Sequence, residues 1–162
     1  MCDPLITCTM NNLTVFSASY LYLVSAAVFI GYFFSTKGAL RRRFLFLSLF
    51  TLPLSYLLGL LAGILYYNPR PFVVLHITPL LSHAANNGFP SDHALLMGTL
   101  AAIVTVYNRR LGALLWGLAI LVGASRVLAA IHHPIDILAS FAIAIFATLS
   151  VNILLKQRKA SN

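Results

Sequence analysis

The chain has 162 residues, of which 60% are hydrophobic and only 9% are charged. A soluble globular domain carries about 25% charged residues, so this composition excludes a soluble protein and predicts an integral membrane protein. The apolar segments are too few for two independent bundles, so a single domain is expected over residues 1–162. The net charge of +8 does not indicate nucleic-acid binding, because the cations flank apolar segments and form no basic face interleaved with aromatic residues.

Five apolar segments are long enough, or nearly so, to cross a hydrocarbon core about 30 Å thick, which takes about 20 helical residues. In chain order they are Thr14–Phe34, Phe44–Tyr67, Ser91–Tyr107, Leu111–Leu128 and Ile135–Leu155. The third and fourth are short and are expected to tilt or to begin below the headgroups. In the second, Gly59 and Gly63 form a small-xxx-small pair that favours close helix packing. The sequence predicts an all-α, polytopic bundle of about five transmembrane helices.

Residues 68–90, between the second and third segments, are too polar and broken to cross the membrane. Apolar residues such as Leu75 and Ile77 are interspersed there with His76 and Thr78. This pattern predicts a loop or a short helix lying on the membrane surface, which could border a lateral entrance for a lipid. A plain connector explains the segment equally well.

Nine of the eleven Lys and Arg residues fall in three clusters. They are Lys37 with Arg41, Arg42 and Arg43; Arg109 with Arg110; and Lys156, Arg158 and Lys159. Because cytoplasmic loops are rich in Lys and Arg, residues 35–43, residues 108–110 and the C-terminal tail are expected in the cytoplasm. The N-terminus, residues 68–90 and residues 129–134 are then extracytoplasmic.

The two remaining cations, Arg70 and Arg126, lie on the outer side of this arrangement, against the charge rule. The acidic residues share that side: Asp3, Asp92 and Asp136. A single arginine at a span end often only snorkels to the headgroups, but these two adjoin histidines and a carboxylate. Both could hold phosphate oxygens in a planar fork. The pattern therefore predicts an anion site, with phosphate as the anion.

Two short motifs supply the other groups. Pro90 ends the preceding segment, so that Ser91 or Asp92 can cap the next helix. The free N–H groups and the positive dipole end of that helix attract an anion. His93 would then lie in the first turn of that helix and face the bound anion.

The second motif opens the last helix. Pro134 suits the first turn of that helix, which places His132 just before the turn and Asp136 within it. A carboxylate at this range can accept the imidazole N–H and fix its tautomer, which leaves the other ring nitrogen free as a nucleophile. The remaining histidines are expected to be loop or interface residues: His76, His83 and His133.

Taken in order, these motifs resemble the three signatures of the type 2 phosphatidic acid phosphatase superfamily. Ser125-Arg126 is followed after five residues by His132 and after three more by Asp136, which matches the third signature. Pro90-Ser91-Asp92-His93 resembles the second signature, and Arg70-Pro71 resembles the end of the first. The run from Pro69 through His83-Ala84-Ala85-Asn86-Asn87-Gly88 to His93 is more similar to the bacterial undecaprenyl-diphosphate phosphatase branch.

The resemblance implies a two-step phosphotransfer. His132 would attack phosphorus to form a phosphohistidine, with Asp136 orienting the ring, and His93 would protonate the leaving group and then activate water. The implied phosphate-binding residues are Arg70, Arg126, Ser91, Asp92 with its neighbouring main-chain N–H groups, and Ser125. No metal or other cofactor is implied, because the arginines supply the positive charge that phosphoryl transfer requires.

Two positions depart from the family pattern. The lysine that the first signature places seven residues before Arg70 is Gly63 here, so the site is one cation short unless Asn68 or a main-chain donor replaces it. Asp92 stands where much of the superfamily has glycine. Because a carboxylate repels phosphate, its side chain is expected to cap the helix or to contact something other than the reacting phosphate.

The implied function is hydrolysis of the terminal phosphate of undecaprenyl diphosphate at the plasma (inner) membrane. The active site would face outward, and the C-terminus would be cytoplasmic. A phosphatase for phosphatidate or phosphatidylglycerol phosphate is the alternative enzyme. A non-catalytic lipid-phosphate binding or transport protein is a third reading, favoured by Gly63 but opposed by the intact His93, His132 and Asp136. The sequence leaves open the oligomeric state and a disulfide between Cys2 and Cys8.

Overall fold

The computed structural model describes the backbone of residues 4–160 and the side chains of residues 11–157. Over that range the chain forms six helices, and the all-α prediction is confirmed. They are α1 (Pro4–Ser35), α2 (Gly38–Leu65), α3 (Pro71–Val74), α4 (Asp92–Tyr107), α5 (Arg109–Leu128) and α6 (Pro134–Ala160). Cys2 and the side chain of Cys8 lie outside the described residues, and so does the disulfide between them that the sequence leaves open.

Four of the described helices are long and apolar enough to cross a membrane: Asn11–Ser35, Gly38–Leu65, Arg109–Leu128 and Pro134–Gln157. The fifth apolar helix, α4, has 16 residues and is about 24 Å long at a rise of 1.5 Å per residue. Of its residues 94–104, all but Leu96 are buried. Because α4 is apolar on every side, it suits the centre of a bundle, and α1, α2, α5 and α6 all pack against it.

Glycines bring the outer helices close to α4 and to the loop before it. A Cβ atom added at Gly59 would lie 2.6 Å from Cδ2 of Leu95, and one added at Gly63 would lie 3.0 Å from the carbonyl oxygen of Phe89. The predicted close packing at this glycine pair is therefore confirmed. At the opposite end of the bundle the core contains an apolar cluster that includes Phe44, Leu47, Ile103, Leu115 and Val151.

The segment between α2 and α4 folds over the connection between α5 and α6. The N–H of Phe72 donates to the Ala130 carbonyl at 3.1 Å, and the N–H of Leu80 donates to the Ala129 carbonyl at 3.2 Å. The surface helix that was considered for residues 68–90 is a single turn, Pro71–Val74. These main-chain contacts make the segment a cover over one end of the bundle and place Arg70 beside that connection.

Candidate active site

Four predicted residues meet at this covered end of the bundle. Arg70 precedes α3, Arg126 lies in the last turn of α5, His132 lies in the α5–α6 connection, and Asp136 lies in the first turn of α6. Their exposed fractions are only 8%, 3%, 3% and 0%, respectively. Buried ionisable groups are costly unless they are paired, so their partners define what the site can do.

In the ring of His132 one nitrogen is a hydrogen-bond donor and the other carries the lone pair. Its Nδ1 lies 2.8 Å from the carbonyl oxygen of Gly88 and 3.4 Å from Oδ2 of Asp136. Because both oxygens can only accept, Nδ1 carries the proton of the neutral ring and donates it. The lone pair then sits on Nε2, which is the nitrogen able to act as a nucleophile. The orienting carboxylate was predicted, but the Gly88 carbonyl lies nearer.

Two guanidinium groups flank that free nitrogen. The distance from His132 Nε2 is 3.4 Å to Nη1 of Arg70 and 3.3 Å to Nη2 of Arg126. Donors on both sides of a lone pair form a pocket where a phosphoryl group could be held against it. The structure therefore brings Arg70 and Arg126 together around one site, as the sequence predicts.

Each arginine is anchored from behind. Arg70 donates from Nε to Oδ1 of Asn86 at 3.0 Å and from Nη1 to the Ile131 carbonyl at 2.8 Å. Arg126 donates from Nη1 to the carbonyl of Ala18 in α1 at 3.2 Å. Its Nε is buried and has no partner among the described residues. An unpaired buried donor costs about 1–3 kcal/mol, and an anion in the pocket would relieve that cost.

Burial sets the charge states of the two groups that lie in connecting segments. It lowers the pKa of His132, and the two arginines lower it further against the opposing hydrogen bond to Asp136. The ring is therefore neutral near pH 7 and its lone pair is available. Burial also lowers the pKa of Arg70, against the attraction of Asp136 and Asp92. Because an arginine side chain is protonated far above neutral pH, it stays charged.

The carboxylate of Asp136 joins three segments. Its Oδ1 accepts from Nδ2 of Asn68 at 2.7 Å, and its Oδ2 accepts from the N–H of His133 at 2.8 Å. The Asn68 amide was considered as a replacement for the missing lysine. One of the two N–H groups of its Nδ2 is donated to Asp136, so the side chain supports the carboxylate, and its use as a phosphate donor stays a prediction.

Gly63 and Gly88 are enclosed by the same loop. Asn87 holds that loop to the end of α2, because its Nδ2 donates to the carbonyls of Gly63 at 2.9 Å and Tyr66 at 3.0 Å. A Cβ at Gly88 would lie 3.3 Å from Oδ2 of Asp136 and from Cγ of Arg70. The close approach of this loop crowds position 63 and brings the Gly88 carbonyl to His132.

The residues at the start of α4 lie beside this pocket. Ser91 is the N-cap residue, but its hydroxyl makes no capping bond and, within the described residues, this buried Oγ has no partner. The predicted Ser91 cap is therefore not formed, and the hydroxyl is free to turn towards a ligand. The Asp92 side chain is exposed, and it does not form the cap either.

His93 and Ser125 occupy the two flanks of the site. His93 is half-buried, and its ring meets that of Tyr22 edge-on at 5.0 Å between centroids. It lies within electrostatic range of His132 and Arg126. The Ser125 hydroxyl donates to the Leu121 carbonyl of its own helix at 2.8 Å, so phosphate binding by Ser125 remains a prediction.

His83 is the residue whose contact with the site the sequence did not predict. It lies in a loop, as expected, but its Nε2 is 3.3 Å from Nη2 of Arg126. His133 contacts the Pro69 carbonyl at 3.1 Å, and His76 is exposed. His83 and Arg126 are 43 positions apart in the sequence, which leaves no local spacing signal, so only the folded loop reveals the contact.

Two curated proteins are similar to this chain over most of its length. The bacitracin transport permease protein BcrC of Bacillus licheniformis is 27% identical over 143 residues, which cover 88% of this chain and 70% of that protein. The undecaprenyl-diphosphatase BcrC of Bacillus subtilis is 29% identical over 138 residues, which cover 84% and 70%.

Two solved structures share the fold. LpxE of Aquifex aeolicus superposes with a TM-score of 0.67 at 21% identity, over 93% of this chain and 87% of that chain. The first transmembrane PAP2-type phosphatidylglycerolphosphate phosphatase of Bacillus subtilis superposes with a TM-score of 0.61 at 21% identity, over 97% and 80%. The sequence model of the PAP2 superfamily matches residues 44–160, which include every site residue described above except Ala18 and Tyr22, and the chain belongs to that superfamily.

Proposed function

We propose that this protein is a membrane lipid phosphatase that hydrolyses undecaprenyl diphosphate to undecaprenyl phosphate and inorganic phosphate. The observation that carries the proposal is the free Nε2 of His132 between the guanidinium groups of Arg70 and Arg126. The similarity to an undecaprenyl-diphosphatase over most of the chain supports this lipid as the substrate. All of these groups belong to one domain.

The first step transfers the terminal phosphoryl group to the enzyme. Arg70 and Arg126 hold its oxygens while the Nε2 lone pair of His132 attacks phosphorus. The P–N bond forms as the bond from phosphorus to the bridging oxygen breaks, and His93 gives a proton to the departing lipid phosphate. The ring becomes cationic in this step, and the Gly88 carbonyl and Asp136 stabilise it through Nδ1–H.

The second step returns the enzyme to its starting state. His93, now neutral, takes a proton from a water molecule whose oxygen attacks the phosphorus of the phosphohistidine. The P–N bond breaks, inorganic phosphate leaves, and His132 regains its lone pair. Ser91, whose hydroxyl is unpaired, and the main-chain N–H groups near Asp92 add donors to the phosphoryl oxygens in both steps. Ser125 joins them by turning away from the Leu121 carbonyl.

The site is expected to face outward from the plasma (inner) membrane. The three basic clusters lie at the end of the bundle opposite to the site, since they flank the α1–α2 and α4–α5 connections and occupy the last turns of α6. The positive-inside rule then places those connections and the C-terminus in the cytoplasm. In a cysteine-free background, an impermeant thiol reagent should label Leu75→Cys in intact cells and should not label Lys37→Cys; the reverse pattern would overturn the orientation.

The decisive experiment measures phosphate release by the purified protein in chelator from undecaprenyl diphosphate, phosphatidate and phosphatidylglycerol phosphate. We expect the diphosphate to give the highest kcat/KM, His132→Asn to abolish release, and His76→Asn, on an exposed loop position, to leave it unchanged. Labelled substrate should leave an acid-labile, base-stable phosphate on the protein.

Each failure of that experiment has a distinct meaning. Release that survived His132→Asn would refute the nucleophile. A preference for phosphatidylglycerol phosphate would support the activity named for one solved relative. The absence of release from every lipid would support a binding or transport protein, in line with the transport name of another relative.

A further inference from the structure

His83 enters the site from the loop that covers it. The ring is half-buried, and its Nδ1 lies 2.8 Å from the carbonyl oxygen of Ser82. Because that oxygen can only accept, the neutral ring keeps its proton on Nδ1 and its lone pair on Nε2. That lone pair faces Nη2 of Arg126 at 3.3 Å.

The Nη2 atom of Arg126 therefore lies between two histidine acceptors. It is 3.3 Å from Nε2 of His83 and 3.3 Å from Nε2 of His132. The two Nε2 atoms are thus no further apart than twice that distance. A phosphoryl group held by Arg126 against His132 would lie within reach of the His83 ring.

The charge of the pocket is too small for the substrate that it is proposed to bind. Arg70 and Arg126 supply two positive charges, the buried Asp136 removes one, and Asp92 adds a further negative charge at the rim. A phosphate monoester carries about −1.5 to −2 charge at pH 7, and a diphosphate carries more. Position 63, where the family pattern has a lysine, is closed by the Phe89 carbonyl.

We propose that His83 is a further phosphate-binding side chain and, after Arg70 and Arg126, the third cationic one, which gains a proton as the anion enters and donates from Nε2 to a phosphoryl oxygen. The neutral ring has only a lone pair on the pocket side, and this lone pair would repel an anion. The proton converts that repelling atom into a charge-assisted donor. The inference rests on the proposed function for the identity of the lipid.

The groups around His83 explain why the proton arrives with the ligand. Burial lowers the pKa of the empty ring, Arg70 lowers it further, the bond to Ser82 opposes this, and Arg126 and His132 lower it again. His93 of α4 also lies within electrostatic range. An anion bound among these cations cancels their field, so the pKa of His83 rises on binding and the complex takes up a proton from solution.

The test uses methylenediphosphonate, whose P–C–P link cannot be hydrolysed, and calorimetric titration in buffers of different ionisation enthalpy. The informative variant is His83→Gln, because a glutamine amide can still accept from Arg126 but cannot be protonated. We expect its Kd at pH 7 to rise about 10- to 100-fold, the range of one charge-assisted hydrogen bond, and its proton uptake to fall below that of the wild type. The control, His76→Asn, should change neither quantity.

Two results would overturn the role of His83. One is a Kd unchanged by His83→Gln. The other is weaker binding with undiminished proton uptake, which would mean that His83 only supports Arg126. Wild-type protein that bound the diphosphonate with His83-dependent proton uptake but released no phosphate from undecaprenyl diphosphate would contradict the proposed function and leave the role of His83 standing.

Discussion

Restoring the missing lysine should harm this enzyme. In Gly63→Lys, the new Cβ would lie 3.0 Å from the carbonyl oxygen of Phe89 and 3.6 Å from Cδ of Pro90. The nearest atom belongs to the main chain, so it cannot move aside as the end of a flexible side chain can. The loop would have to shift by a few tenths of an ångström, and that loop carries the Gly88 carbonyl that holds Nδ1 of His132 at 2.8 Å.

The cost follows from comparing two glycines. An alanine in a helix is favoured over glycine by about 1 kcal/mol, and Gly31→Ala should gain that amount, because no described atom beyond its own helix lies within 4 Å of a Cβ there. Gly63→Ala has the same gain but also overpacks the loop, which costs about 1–3 kcal/mol. For chains of 150–250 residues, 1 kcal/mol corresponds to about 2–4 °C in Tm, so the two variants should differ by about 2–12 °C.

The assay is thermal unfolding of Gly31→Ala, Gly63→Ala and Gly63→Lys in one detergent, beside phosphate release from undecaprenyl diphosphate. We expect Gly63→Lys to have a lower Tm than Gly31→Ala and a lower kcat than the wild type, in spite of its added charge. A Gly63→Lys protein with wild-type Tm and raised kcat/KM would refute the reasoning, because it would show that the loop yields and admits the cation.

Three further predictions concern the groups around His132. Removing either guanidinium, in Arg70→Ala or Arg126→Ala, should lower kcat by at least the 10²–10³-fold that one preorganised donor contributes; a loss below tenfold in single-turnover assays would show that the phosphate is held otherwise. Because burial lowers the pKa of His132, kcat/KM should stay level as pH falls through about 6.5, the ordinary imidazole value, and drop only at lower pH; an acid limb above 6.5 would contradict this. Asn68→Ala leaves Oδ1 of Asp136 without its 2.7 Å partner, so calorimetry should show about 1–3 kcal/mol lower stability, and unchanged stability would remove this role of Asn68.

Residue types with strong local preferences made much of the fold predictable. Apolar runs defined the five long helices, and Pro134 opens α6 as expected, with His132 before it and Asp136 in its first turn. Arg70 and Arg126 could be identified because they lie on the expected extracytoplasmic side, where the positive-inside rule predicts few cations.

The features that the sequence could not predict depend on main-chain atoms and on contacts between residues that are far apart in the sequence. The Gly88 carbonyl that fixes the tautomer of His132 is 44 residues away, and any residue has a carbonyl. The Asn87 bonds that close position 63 arise from how the loop folds, which no periodicity encodes. Ser91 or Asp92 was expected to cap α4, but neither side chain forms the cap, and the buried Ser91 hydroxyl has no partner among the described residues.

The hydrogen bond from Arg126 to the Ala18 carbonyl connects the candidate active site to α1, a helix at the outside of the bundle. One turn further along α1, Tyr22 contacts His93, so a single turn of α1 touches both Arg126, the proposed phosphate-binding residue, and His93, the proposed proton donor. That helix lies outside residues 44–160 and carries many lipid-facing apolar side chains, such as Phe16 and Leu23. A mismatch between the length of such a helix and the thickness of the bilayer is one factor that changes its tilt. Changes in the membrane would therefore reach Arg126 and His93 together, and turnover would respond to the lipids around the enzyme as well as to the lipid it cleaves.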